Sequence, residues 1–157
     1  MTINEQAMQL AIQSARLGVK ENHGGPFGAC IVKDNRVIAV AHNTVIKDGD
    51  PTCHAEINSI RLATKELGTH ILSGCDIYTT AEPCPMCLAA IYWARIDKIY
   101  VSVDRTVAAR FGFDDHFFYE QIQKESKDRL VPSQSGILAQ ESEAVFQQWQ
   151  DLERELY

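Results

Sequence analysis

The chain has no basic tail and no Lys/Arg cluster beyond scattered pairs; 15 basic residues stand against 21 acidic ones, a formal charge of −6. Binding dominated by nucleic-acid phosphates is therefore disfavoured, and a small neutral ligand fits better. An apolar run of membrane length is also missing, as is a hydrophobic signal segment, because Thr2 to Gln6 are polar but for Ile3. These absences exclude a membrane partner. What remains is 157 residues, 45% of them apolar, enough for one domain spanning 1–157 with a real core.

Two short clusters carry the chemistry, His54-Ala55-Glu56 and Pro83-Cys84-Pro85-Met86-Cys87. One imidazole and two thiolates suit zinc, and a set of only three ligands leaves the fourth tetrahedral position open to water, the catalytic arrangement. Glu56 is then free to act as a base beside that water. Asp50-Pro51 reads as an N-cap and first helical residue, which places His54 and Glu56 near the first turn. Residues two apart do not share a helix face, so a pocket using both must wrap around the helix end. Prolines 83 and 85 mark a second helix start with Cys84 and Cys87 on one face, where the helix dipole favours thiolates. A redox role for the Cys-x-x-Cys pair would leave His54 and Glu56 unexplained. Closure of the metal by Cys53 would make a structural, binding-only site, but Cys53 points about 100° away from His54 around a helix. With two cysteines used, Cys30, Cys53 and Cys75 are an odd remainder, read as small buried hydrophobes in a reducing cytoplasm.

The rest of the chain frames these clusters. Residues 4 to 19 form an amphipathic helix with Ala7, Leu10, Ala11, Ser14 and Leu17 on one stripe, ended by Gly18 and the turn-rich segment through Pro26. Ala29–Val32 and Val37–Ala41 flank Asp34-Asn35 as a hairpin. Asn43, just past the second strand, is either a turn former or an amide offering donor and acceptor to a bound ring. His23, His42, His70 and His116 are read as structural. A helix from about Thr52 to Leu67 is capped by Gly68. Strands at Cys75–Thr80 and Ile96–Val103 alternate with helices, which predicts a three-layer α/β/α fold with a mixed, partly parallel central sheet of about five strands. Glu82 is read as structural, at a helix start. Short helices follow at Arg105–Ala109 and Phe117–Lys124, with Asp114-Asp115 reading as a cap before the second. A polar loop through Gly136 leads to a last helix from about Glu141 to Leu156, carrying Val145, Phe146, Trp149, Leu152 and Leu156 on one stripe.

The His-x-Glu and Pro-Cys-x-x-Cys pair is the signature of zinc-dependent nucleobase deaminases. Together with Asn22 to Ala29, Asp50-Pro51-Thr52, Ile91 to Arg95, Phe111 to Asp115 and the terminal Tyr157, nearly the whole chain resembles the bacterial guanine deaminases of the cytidine-deaminase-like fold. That resemblance implies one Zn²⁺ per subunit on His54, Cys84 and Cys87. It implies hydrolysis of guanine to xanthine and ammonia through a zinc-activated water, with Glu56 as proton shuttle. It assigns Phe27, Asn43, Ala55, Trp93, Asp115 and Tyr157 to the substrate, with Phe27 stacking on the base and Asp115 adding a second proton relay. It further implies a homodimer in which segments from about 125 to 157 are exchanged and Tyr157 closes the partner's pocket. Guanosine, cytosine and tRNA adenosine are the rival substrates; the last would call for a basic surface.

Overall fold

A computed structural model describes residues 1–157. Its contacts separate into two compact units, Met1–Tyr119 and Glu120–Tyr157. In the first, helix α1 (Ile3–Lys20) precedes the hairpin β1 (Gly28–Lys33) and β2 (Arg36–His42), then the single turn α2 (Val45–Asp48) and helix α3 (Ala55–Leu67). Strand β3 (Cys75–Ala81), helix α4 (Pro85–Trp93), strand β4 (Lys98–Val103) and helix α5 (Arg105–Arg110) complete it, and helix α6 (His116–Gln123) begins there.

The sheet runs β2-β1-β3-β4. β1 is antiparallel to both neighbours, and β3 pairs with β4 in parallel, the crossover being α4. Four strands are present where about five were expected, and they are the four segments located in the sequence. After Val103 the chain offers no further β-branched run; it turns at Asp104, whose carboxylate accepts from the N–H groups of Thr106 and Val107 and starts α5 instead. Asp34 and Asn35 both have positive φ, as the two-residue hairpin loop requires.

Three layers follow from strand alternation. On one face Ala29, Ile31 and Ile77 pack with Ala55 and Ala63 of α3 and Ile91 of α4. On the other, Cys30, Val32 and Tyr78 pack with Ala7 and Ala11 of α1. The buried stripe of α1 is Ala7, Ala11, Ala15 and Gly18, while Leu17 faces out. The stripe is therefore rotated from the one expected, and Gly18 does not end the helix, which a Thr2/Glu5 capping box opens and Lys20 closes. Small side chains let α1 lie close on the sheet: a Cβ on Gly28 would collide with the carbonyl oxygen of Ala11.

The second unit contains the end of α6, a 3₁₀ turn at Ser126–Asp128 and helix α7 (Ala139–Asp151). α7 stops short of Leu156; after it Glu153 takes positive φ, and the Arg154 guanidinium lies 5.5 Å over the Trp149 ring. Arg129 Nε donates to the carbonyls of Gln121 and Lys124, and Leu130 N–H donates to Gln121 Oε1. None of the α7 residues is buried. No helix of the chain is long and apolar enough to cross a membrane.

Candidate active site

Helix ends supply the metal-type ligands. Asp50 does not start α3: its carboxylate accepts from the Thr52 N–H and hydroxyl, and this turn holds residues 50–53 out of the helix. His54 becomes the N-cap and Glu56 falls in the first turn, so the pair straddles the helix end and serves one pocket. Cys84 is likewise the N-cap of α4, with Pro85 at its first position and Cys87 two residues further on. The donor atoms of His54, Cys84 and Cys87 all lie within 4.8 Å of one another. His54 Nδ1 is 3.5 Å from Cys84 Sγ and 3.4 Å from Cys87 Sγ. A sulfur and a nitrogen bound to one tetrahedral zinc, at about 2.3 and 2.0 Å, stand about 3.5 Å apart, so the set fits that ion. Charge agrees with distance. The hydrogen bond from Cys87, aided by His54, draws the Cys84 thiol down to about 4 against the effect of burial. Sharing with Cys84 and burial push the Cys87 thiol up, opposite to its neighbour, and both sulfurs must lose their protons to hold a cation. Cys53 stays outside the cluster; its sulfur accepts from Arg61 Nη1 at 3.5 Å.

A cavity of about 400 Å³ opens beside this cluster, lined by residues that include Phe27, Asn43, His54, Glu56, Cys84 and Asp115. Glu56 is 8% exposed, and burial raises its carboxyl above the usual range, so it holds a proton readily. Asp115 is half-buried, its carboxyl raised first by burial and then by Cys84, with Arg105 opposing. Asp115 stands immediately before α6, its carbonyl accepting from Phe118 N–H, while Asp114 Oδ1 accepts from His116 N–H; the Asp115 side chain lines the cavity.

Asn43 is fixed in orientation. Its Oδ1 accepts from the backbone N–H of Gly25 (3.2 Å) and of Val45 (3.1 Å), and this fills both lone pairs. Nδ2 is the edge it presents to the cavity, so Asn43 is a donor there and not both donor and acceptor. Gly24 makes the arrangement possible, since a Cβ on it would overlap Asn43 Oδ1. Glu82, expected to be structural, has its Oε2 accepting from Arg105 N–H in the first turn of α5 and also lines the cavity.

Of the other expected substrate residues, Ala55 is fully buried in the core beneath the helix start. Trp93, at the end of α4, is 68% exposed and is not part of the cavity lining, and Tyr157 belongs to the second unit. The cavity also uses residues that sequence reasoning passed over. Phe113 meets the Phe27 ring edge-on at 5.0 Å, and Val45, Ile46, Arg105 and Phe118 are also among the lining residues. Only Phe113 carried a signal, as part of Phe111 to Asp115.

The cluster, the buried carboxylate beside it and the layering around both are those of the zinc-dependent deaminase class. Residues 1–103 match the cytidine and deoxycytidylate deaminase zinc-binding region, and the chain belongs to that family. It is 45% identical over 148 residues, 94% of each chain, to guanine deaminase of Bacillus subtilis. The X-ray structure of guanine deaminase from Bacillus subtilis superposes with a TM-score of 0.92 at 43% identity, covering 98% of this chain and 97% of that one. A tRNA-specific adenosine deaminase of Agrobacterium fabrum is 37% identical over 142 residues, 90% of each chain.

Proposed function

We propose that the chain is a hydrolase that converts guanine and water to xanthine and ammonia. The observation that carries this reading is Glu56, buried two residues after His54 and lining one cavity with Cys84, Asn43 and Asp115. One zinc ion per subunit, held by His54, Cys84 and Cys87, would supply Lewis-acid activation of water near neutral pH.

The chain's own groups do the rest. Phe27, backed edge-on by Phe113, offers a flat face to the purine. Asn43 Nδ2 donates to an acceptor on the ring, and the Asp115 carboxylate accepts from a ring or amine N–H. The Glu56 carboxylate takes a proton from the attacking water and passes it to the ring nitrogen next to the carbon under attack. As the C–N bond breaks, a second proton, relayed by Glu56 or Asp115, lets the amine leave as ammonia. The −6 charge supports a free base over tRNA as substrate.

The working unit in this reading is a homodimer with segments from about residue 125 exchanged, each Tyr157 closing its partner's pocket. Its support is the exposure of Val145, Phe146, Leu152 and Leu156 within one chain.

Ammonia release from zinc-loaded protein offered guanine, guanosine, adenine, cytosine and a tRNA anticodon stem in parallel tests the substrate. Preference for guanine is expected. Turnover of another member instead overturns the substrate and keeps the zinc chemistry. Glu56→Ala should keep its zinc and lose nearly all turnover; substantial remaining activity contradicts the proton route.

A further inference from the structure

His23 and His42 take no part in the proton steps above, yet they are built into one another. β2 ends at His42, whose ring lies against α1 where Gly18 leaves room; a Cβ at position 18 would come within 2.5 Å of it. Ser14, one turn earlier on α1, contacts His42 Nδ1 at 3.0 Å. On the far side of the ring, Nε2 meets His23 Nδ1 at 2.9 Å, with the two rings 18° from parallel. Asn58 Nδ2 donates to the His42 carbonyl, so the backbone at this point is held as well.

His23 in turn anchors the loop it starts. Its N–H donates to the Gly18 carbonyl, and its own carbonyl accepts from both Ile46 and Lys47 at the start of α2. The next residue after His42 is Asn43, which grips the same loop two residues further on, through Gly25. Consecutive residues of one strand end thus clamp the loop at two points. That loop delivers Phe27, whose carbonyl accepts from Asn43 N–H.

We infer that His23 and His42 are a positioning pair for substrate recognition: their mutual hydrogen bond sets the loop 23–27, and through it the Phe27 face and the Asn43 donor, against the bound base. The inference rests on the deaminase reading above for the identity of the base. Neither imidazole lines the cavity. Both act through Phe27 and Asn43, so their loss weakens binding and leaves the proton transfers at Glu56 in place.

The test compares zinc-loaded wild type with His23→Ala, His42→Ala and His42→Gln. Zinc content, kcat and KM for guanine, and amide hydrogen exchange over residues 22–27 are measured on each. Losing one net hydrogen bond should raise KM about fivefold in both alanine variants, with kcat within about twofold of wild type. Glutamine places an amide near the former Nε2, so His42→Gln should restore KM to within about twofold of wild type. The Gly25 amide should exchange faster in the alanine variants and at the wild-type rate in His42→Gln.

An unchanged KM, a fall in kcat with KM unmoved, or equal protection of Gly25 overturns the inference. A purely structural role would lower the melting temperature without this split. Should His42→Ala fail to fold, His23→Ala, at a partly exposed position, decides the same point. Wild type that turns over another base, or none, refutes the guanine reading alone, since the exchange comparison still decides whether the pair sets the loop.

Discussion

In the proposed reading Asn43 holds two functions on opposite atoms of one amide, and two substitutions separate them. Asn43→Ala removes the oxygen that accepts from Gly25 and Val45 as well as the Nδ2 donor. Each lost backbone hydrogen bond costs about 0.5–1.5 kcal/mol, so the pair is worth roughly 1–3 kcal/mol. At ~2–4 °C per kcal/mol for a chain of this length, the melting temperature should fall by about 4–8 °C for the middle of that range. Asn43→Asp keeps an oxygen toward the two N–H groups but turns the donor edge into an acceptor. Its melting temperature should stay within about 2 °C of wild type, because the loop bonds survive. Facing an acceptor on the base with a lone pair should lower kcat/KM roughly a hundredfold, the scale of a buried polar group left unpaired. Differential scanning calorimetry and steady-state ammonia release on the two variants give both quantities. Wild-type kcat/KM in Asn43→Asp would show that Nδ2 has no partner in the substrate. Equal destabilisation in the two variants would show that the oxygen does not hold the loop.

Three further outcomes follow from other parts of the molecule. Gly28→Ala drives a methyl into the Ala11 carbonyl and should destabilise the chain by about 1–3 kcal/mol, read as a lower urea midpoint; an unchanged midpoint would mean that α1 does not lie so close on the sheet. Cys87→Ala should lower bound zinc from one per chain to near zero by metal analysis and remove activity, whereas chelation of wild type followed by zinc should restore it; full zinc occupancy in the variant would contradict the ligand set. Burial, then the charges of His23 and Lys47, holds the His42 imidazole below its ordinary 6.5, so the folded chain binds that proton less readily than the unfolded one. His42 therefore contributes full stability above about 6.5 and loses it as pH falls further, and a pH series of melting temperatures should be steeper in wild type than in His42→Gln; equal slopes refute this.

The metal cluster was legible because its ligands are local: His-x-Glu and Cys-x-x-Cys each report on a single helix start. The position of the first start was not. Asp50-Pro51 has the composition of a cap, but its side chain closes a turn with Thr52, and which of the two it does depends on the loops packed around it. Gly18 looked like a helix terminator because glycine's low propensity is local, whereas the reason for it, the ring of His42, lies 24 residues away in sequence. The donor edge of Asn43 and the Phe27–Phe113 contact were likewise beyond reach, since each needs partners brought together by the sheet. The parallel pairing of β3 and β4 was readable from the helix between them. All four strand segments located in the sequence are present, and the count of about five had no fifth segment of the chain behind it.

The candidate ligands and Glu56 all lie at helix starts within residues 1–103, the part of the chain that matches the family. Arg105, Phe113, Asp115 and Phe118, which form one side of the cavity, come after it. In the proposed reading the hydrolytic groups thus lie in the earlier stretch, while selection is shared between Phe27 and Asn43 there and Asp115 with its neighbours in the later one. A lineage built this way can retune its substrate preference by rewriting the later stretch while the hydrolytic step is inherited unchanged. A chimera carrying residues 104–157 of a relative on this chain's first 103 is the corresponding laboratory shortcut.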